Sequence, residues 1–306
     1  ESQDEATELA CSYERCFGKR ESFQNENKNA IMKMRSLIDK FAEEGDVLFA
    51  DLLKIATCSI LIPVSYLKRQ GDIRFKTEKE KKRPIPDFYS LLKKKLNEMA
   101  TDVVDESVVM KKTHFLLTEN AKKIGRTKLK KKISAVITSP PYLNGTNYFR
   151  NTKVELWFLG FLKENSDLRS FRDEALTSGI NDVICSNDDK SVLEKSSMLK
   201  KTFDRLQKVA YDRRIPLMAL AYFAEMEVLF RDLAPKLKKG AKVVVDLGDS
   251  IFSGVHIKTD YILAEILKLY NYDLIQRVVL RKRRSKNGSV LSQIMLIFVF
   301  GGKDEL

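Results

Sequence analysis

Residues 134–148 read Ser-Ala-Val-Ile-Thr-Ser-Pro-Pro-Tyr-Leu-Asn-Gly-Thr-Asn-Tyr, and the fold turns on how this stretch divides. Ile133–Thr138 is a short apolar run of strand length, and Pro140 and Pro141 stop it. Each proline fixes its own φ and drives the residue before it into an extended conformation, so Ser139 and Pro140 are held stiffly at the strand's carboxyl end. Neither proline has an N–H, which leaves the local carbonyls and the Ser139 hydroxyl able to accept from a ligand. Tyr142 adds a flat face at the lip of the same place. Acceptors beside an aromatic clamp suit a planar amine, because holding both of its hydrogens favours the pyramidal, nucleophilic nitrogen.

Outward from this stretch, short apolar runs alternate with helical patterns from residue 114 onward, which predicts a mainly parallel sheet covered on both faces. The predicted strands are His114–Thr118, Ile133–Thr138, Lys242–Leu247, Asp273–Arg281 and Gln293–Phe300. Tyr222–Leu237 and Thr259–Tyr270 read as helices. The last two strands read as an antiparallel hairpin whose loop, Arg281-Lys282-Arg283-Arg284-Ser285-Lys286-Asn287-Gly288, is strongly basic. Residues 163–216 form a polar, mostly helical insertion, read either as a solvated element or as a lid or target-recognition element.

Before residue 111 the pattern is helical. Residues 1–25 are polar and expected to be mobile at the start. Apolar positions at Ile31, Met34, Leu37, Ile38 and Phe41, and again at Leu48, Leu52, Ile55 and Ile60, have helical periodicity and predict two helices. Residues 68–83 make a basic loop, either a solvated connector or a phosphate-contacting loop, and Asp87 caps the helix that follows. The organisation predicted is a helical region over 1–110 and a catalytic region over 111–306.

The chain has 306 residues, with 55 Lys+Arg against 42 Asp+Glu, a formal charge of +13 that draws polyanions at long range. Cys11, Cys16, Cys58 and Cys185 are scattered and no secretory leader precedes them, so reduced thiols in a cytoplasmic protein are expected. No spacing suggests a zinc site, and His114 and His256 are far apart. The least polar stretch, Val47 to Tyr66, contains Asp51 and Lys54 and so reads as a buried helix. The terminal Lys303-Asp304-Glu305-Leu306 reads as an incidental match to a retrieval signal that needs prior secretion.

Ser139-Pro140-Pro141-Tyr142 resembles motif IV of the S-adenosylmethionine-dependent DNA amino-methyltransferases, where the tetrapeptide is Ser/Asp/Asn-Pro-Pro-Tyr/Phe. These enzymes modify cytosine N4 or adenine N6, and serine in the first position leans towards cytosine N4. The resemblance continues in order over about residues 114–300. Asn151-Thr152-Lys153-Val154-Glu155-Leu156-Trp157-Phe158-Leu159 is similar to the helix after motif IV. Arg169 with Thr177-Ser178-Gly179, Tyr222-Phe223-Ala224-Glu225-Met226 and Leu247-Gly248-Asp249-Ser250 resemble later elements. The resemblance implies an α/β, Rossmann-like class I methyltransferase sheet, with S-adenosylmethionine as cofactor and DNA as partner. It implies that a flipped base stacks on Tyr142 and is held through its amine by Ser139 and the Pro140 carbonyl, with Pro141 stiffening the turn and no metal needed. Thr138 and Asn120 are the residues it implies on the cofactor side. Asn144, Asn147 and Tyr148, which follow the motif, are expected to meet DNA, and the dense positive charge of the hairpin loop adds Arg281, Arg283 and Arg284 as expected phosphate contacts.

The family's glycine-rich cofactor motif, Asp-Pro-Phe-x-Gly-x-Gly, is not found in this sequence. In that fold the strand carrying the motif pairs directly with the strand ending at Thr138, so the sheet is expected to be incomplete in this chain. A second polypeptide, or a lost amino-terminal portion, would supply the missing strands, since a bare central strand is an aggregation hazard. The function expected is DNA amino-methylation by one subunit of a split enzyme. The alternatives are a tRNA amino-methyltransferase and a non-catalytic nucleic-acid-binding subunit.

Overall fold

The computed structural model describes residues 2–70, 72–105, 120–143, 148–183, 190–284 and 288–301, without the side chains of 2–7, 104 and 105. The predicted strand His114–Thr118, together with Asn144, Asn147, Cys185 and the tip of the basic hairpin, lies outside the described residues. The chain divides into two compact units: Glu1–Phe115 with Asn147–Phe171, and Leu116–Thr146 with Arg172–Leu306.

The first unit contains α1 (Ser2–Phe17), α2 (Asn25–Glu43), α3 (Val47–Ile60), β1 (Leu67–Gln70), β2 (Asp72–Phe75), α4 (Glu78–Lys81), α5 (Phe88–Asp105), α6 (Tyr148–Asn151) and α7 (Lys153–Phe158). Its core gathers around Trp157, fully buried and edge-on to Tyr13 (5.3 Å) and Phe17 (5.7 Å), with Nε1 donating to Ser12 Oγ at 3.1 Å. α1 is a helix that buries Leu9, Ser12, Tyr13 and Cys16.

Asp46 caps α3, its carboxylate accepting from Phe49 N at 3.3 Å. The buried face of that helix is Ala50, Leu53, Ala56, Thr57 and Ile60, whereas Leu48 and Ile55 point outward at 75% and 60% exposure. α3 is apolar nearly all round, and its small residues are the ones that allow close packing. Residues 68–83 form no simple loop either. β1 and β2 pair antiparallel, and Glu80 takes both Lys68 (2.6 Å) and Arg74 (2.7 Å) while Arg69 pairs with Glu155. Hydrogen bonds from Arg74 and Lys68 hold the Glu80 carboxyl well below the ordinary carboxylate range.

α8 (Leu168–Glu174) runs across the sequence boundary of the units, and the second unit continues with α9 (Val192–Lys195), α10 (Ser197–Val209), α11 (Arg214–Leu233) and α12 (Thr259–Lys268). Its strands are β3 (Ile133–Thr138), β4 (Leu237–Gly248), β5 (Ser250–Phe252), β6 (Val255–Ile257), β7 (Tyr272–Arg284) and β8 (Val290–Phe300). α11 begins well before the predicted Tyr222, since Pro216 stands in its first turn, where the missing N–H costs nothing. α10, inside the region read as a polar insertion, buries Leu199, Phe203 and Leu206 and so belongs in part to the core.

The main sheet has the order β3-β4-β8-β7. β3 and β4 are parallel, with Ile137↔Val244 and Thr138↔Val245 in register, while β4–β8 and β7–β8 are antiparallel. The expectation of a mainly parallel sheet is therefore corrected to a mixed one. The hairpin makes β8 run against β7, and β8, inserted between β4 and β7, runs against β4 as well. One face is sealed, with Val243, Val245, Leu247, Leu296 and Phe298 sharing a core with Phe223, Phe230 and Ile266 of the helices. The other is not sealed at β3, where Ile137 is 85% exposed. Among the described residues β3 is an edge strand. The β7–β8 ribbon continues beyond the last β4 pair, Gly248↔Gln293, through Lys282↔Ser292, Arg283↔Leu291 and Arg284↔Val290. No described helix is long and apolar enough to cross a membrane.

Candidate active site

The parallel pair β3–β4 brings the two chain exits, Ser139 and Asp249, to the same end of the sheet. Beyond Thr138, Ser139 is exposed, Pro140 is buried and Tyr142 is half-buried. Leu143 is buried, and its carbonyl accepts from Ser250 Oγ at 2.5 Å, which fastens the proline turn to the start of β5.

The ring of Tyr142 lies on Gly248, where an added Cβ would stand 2.7 Å from Tyr142 Cδ2. Its hydroxyl accepts from Gln293 Nε2 at 3.0 Å, and the same amide nitrogen donates to Asp246 Oδ2 at 2.8 Å. Both amide hydrogens of Gln293 are thereby engaged, which fixes the orientation of the amide. Asp246 Oδ1 is buried with no hydrogen-bond partner among the described residues. Burial raises the Tyr142 phenol above its ordinary value; hydrogen bonding with Ser139 opposes the rise and Asp246 adds to it.

Next to this cluster Asp249 is buried, accepting from Ser292 N at 2.7 Å and facing His256 Nε2 at 2.6 Å. Thr259 Oγ1 donates to Gly248 O at 3.2 Å. The result is a rigid floor beneath a cleft of about 190 Å³ lined by Tyr142, Gly248, Arg281, Arg283, Ser292 and Gln293.

Of the residues singled out from the sequence, this cleft gathers Tyr142, Arg281 and Arg283, with Ser139 adjoining through the Tyr142 hydroxyl. Thr138 ends β3, half-buried beside Val245. Arg284 lies further out on the ribbon, opposite Val290. Asn120 is not among the lining residues. Its side chain accepts from Lys122 N at 2.9 Å and donates to Glu174 O at 2.9 Å, capping the short 3-10 helix Ala121–Arg126. Tyr148 opens α6 in the first unit. Gln293 and Asp246 were missed, although each is a polar residue interrupting an apolar strand, which is a signal that a partner must be near.

S-adenosylmethionine needs backbone it can approach closely, a glycine turn leading from a strand into a helix. Gly248 ends a strand, but the Tyr142 ring covers it, and Gly254 merely turns the β5–β6 hairpin. The described residues do not by themselves fit that cofactor.

The arrangement is thus that of an α/β protein with a cleft at the carboxyl end of its parallel strands, where such sheets bind ligands. Comparison with known proteins adds distant similarities. The chain is 23% identical to the type II methyltransferase M.AvaI of Nostoc sp., over 78% of this chain and 54% of that protein, and the M.AvaI of Anabaena variabilis matches to the same extent. It is 22% identical to the type II methyltransferase M.BsoBI of Geobacillus stearothermophilus, over 79% of this chain and 56% of that protein. The chain spans about half the length of the curated relatives it matches. No family model and no solved structure matches it significantly.

Proposed function

We propose that this chain carries the base-binding part of a DNA amino-methyltransferase that uses S-adenosylmethionine and modifies cytosine N4 in preference to adenine N6. The observation that carries the reading is the convergence of Ser139, Tyr142, Arg281 and Arg283 at the carboxyl end of β3 and β4. In this reading a base flipped from the duplex stacks on Tyr142, and its amine hydrogens are accepted by Ser139 and the Pro140 carbonyl. The two arginines, with Arg284 further out, meet phosphates. The distant similarity to type II methyltransferases supports it.

The part that binds the methyl donor is supplied by strands pairing with the outer edge of β3, on a second polypeptide or in a longer chain. Three facts support this: β3 is an edge strand among the described residues, Ile137 is exposed, and the chain spans only about half of its relatives. An open strand edge is a template for pairing, and an interface that completes a sheet falls in the obligate range of about 2,000 Å² or more.

Calorimetry with S-adenosylmethionine tests the division, and transfer of a labelled methyl group to duplex DNA tests the function. The chain alone is expected not to bind the cofactor; with its complement it is expected to bind it and to methylate. Micromolar cofactor binding by the single chain as a monomer overturns the division. A reconstituted protein that binds cofactor and duplex yet transfers nothing overturns the function.

A further inference from the structure

The opposite end of the same sheet carries a second concentration of positive charge. β3 and β4 run parallel, so both amino termini point away from Tyr142. Lys128, Lys130, Lys131 and Lys132 lead into β3, while Lys238 stands at the start of β4 and Lys242 further along it, adjacent through the pairs Ile133↔Leu237 and Ala135↔Lys242. The approach to β3 is fastened there: Lys236 Nζ donates to Thr127 O at 2.6 Å and to Gly125 O at 3.2 Å. All six lysines are exposed, and none forms an ion pair with a described carboxylate. Asp232, the carboxylate facing Gly125, is taken by Arg231 at 3.2 Å. Like charges crowded in this way lower one another's stability until a polyanion neutralises them.

We propose that this end of the sheet is a second nucleic-acid surface, which grips the phosphate backbone of a duplex stretch other than the one at the cleft. The chemistry selects the partner. The patch offers ammonium groups on flexible stems and no aromatic ring, whereas protein interfaces are depleted in lysine and enriched in aromatic residues. A phosphate backbone asks only for positive charge at the right spacing. From Lys132 to Ser139 the chain extends roughly 20 Å, at about 3.3 Å per residue, and duplex DNA is stiff over about 150 base pairs. The lysines and the cleft stand at opposite ends of β3 and β4, so a duplex seated across one end leaves the other end free to hold a second stretch. Holding one stretch raises the local concentration of the other at the cleft.

The test needs no cofactor and no turnover, so it stands apart from the methyl-transfer reading. Duplex affinity is measured against salt for the purified chain, first with Arg281→Gln and Arg283→Gln alone and then with Lys130→Glu, Lys131→Glu and Lys132→Glu added. The added set is expected to flatten the slope of log K against log salt by about 2–3 units, at about 0.9 per phosphate lost. The unaltered chain is also expected to link a biotinylated duplex to a fluorescent one on streptavidin, and the lysine variant is expected to lose at least ten-fold of that capture. A Lys→Gln version of the same three positions separates loss of charge from repulsion, with circular dichroism confirming the fold. An unchanged salt slope in both versions overturns the proposal, as does tighter binding of polyglutamate than of duplex, which would make the surface one for an acidic protein.

Discussion

Tyr142 and Gly248, 106 positions apart in sequence, are stacked so that the glycine's missing Cβ is what lets the ring lie flat on β4: a Cβ there would come within 2.7 Å of Tyr142 Cδ2. Gly248→Ala is therefore expected to push the ring off its seat. Overpacking of this kind costs about 1–3 kcal/mol, which denaturant unfolding reads directly. Duplex binding at the cleft is expected to weaken as well, and unaltered stability together with unaltered binding would refute the stacking.

Gln293 is expected to matter through Tyr142. Gln293→Leu removes the donor shared by Tyr142 and Asp246 and leaves Asp246, already short of one partner, with a buried carboxylate still less satisfied. An unmade hydrogen bond to such a group costs about 1–3 kcal/mol. Urea titration should show a loss of that size, and Gln293→Glu, which adds a second carboxylate beside Asp246, should be worse than Leu.

Ser139 is exposed, so Ser139→Ala is expected to leave stability within about 0.5 kcal/mol of the parent. Methyl transfer by the completed enzyme is expected to lose about 2–4 kcal/mol of transition-state stabilisation, a fall of roughly 30- to 1000-fold in kcat. Parent-like turnover in the purified variant would end the assignment.

Arg281→Gln with Arg283→Gln removes two guanidinium groups from the rim of the cleft. The salt slope of duplex binding is expected to drop by about 2 units, without a change in sequence preference. A slope equal to the parent's would return these arginines to solvent.

One buried and one half-buried thiol give the fold an alkaline limit. Burial pushes Cys16 up to about 11 and Cys58 up to about 12; Lys153 opposes the rise at Cys16, and Glu155 adds to it at Cys58. The unfolded chain releases these protons near 9, so the folded state holds protons that the unfolded state gives up. The stabilising contribution is complete below pH 9 and is lost as pH rises towards 11–12. The stability difference between the parent and Cys58→Ala, followed from pH 8 to 11, is expected to shrink; a growing difference would contradict the burial.

How much of this was legible in the sequence depended on the range of the cause. Ile133–Thr138 could be delimited because two prolines punctuate it locally, and the β7–β8 hairpin because its apolar arms flank a basic, glycine-containing turn. The inward face of α3 could not be read, because a helix apolar on most sides gives no direction until its neighbours are known. The charges of residues 68–83 looked free because their partners, Glu80 and Glu155, become neighbours only on folding. Gln293 and Asp246 were hidden for the same reason: a hydrogen bond between β8 and β4 has no signature in either strand alone.

The ribbon that overhangs β4 gives the cleft two walls of unequal history. Tyr142 and Gly248 are locked into the sheet and cannot be exchanged separately, but Arg281 and Arg283 sit where the ribbon leaves its support, and the pairs beyond them bind only each other. Substitutions along that finger leave the stacked pair beneath untouched, so the charge at the rim can be altered independently of the surface below it.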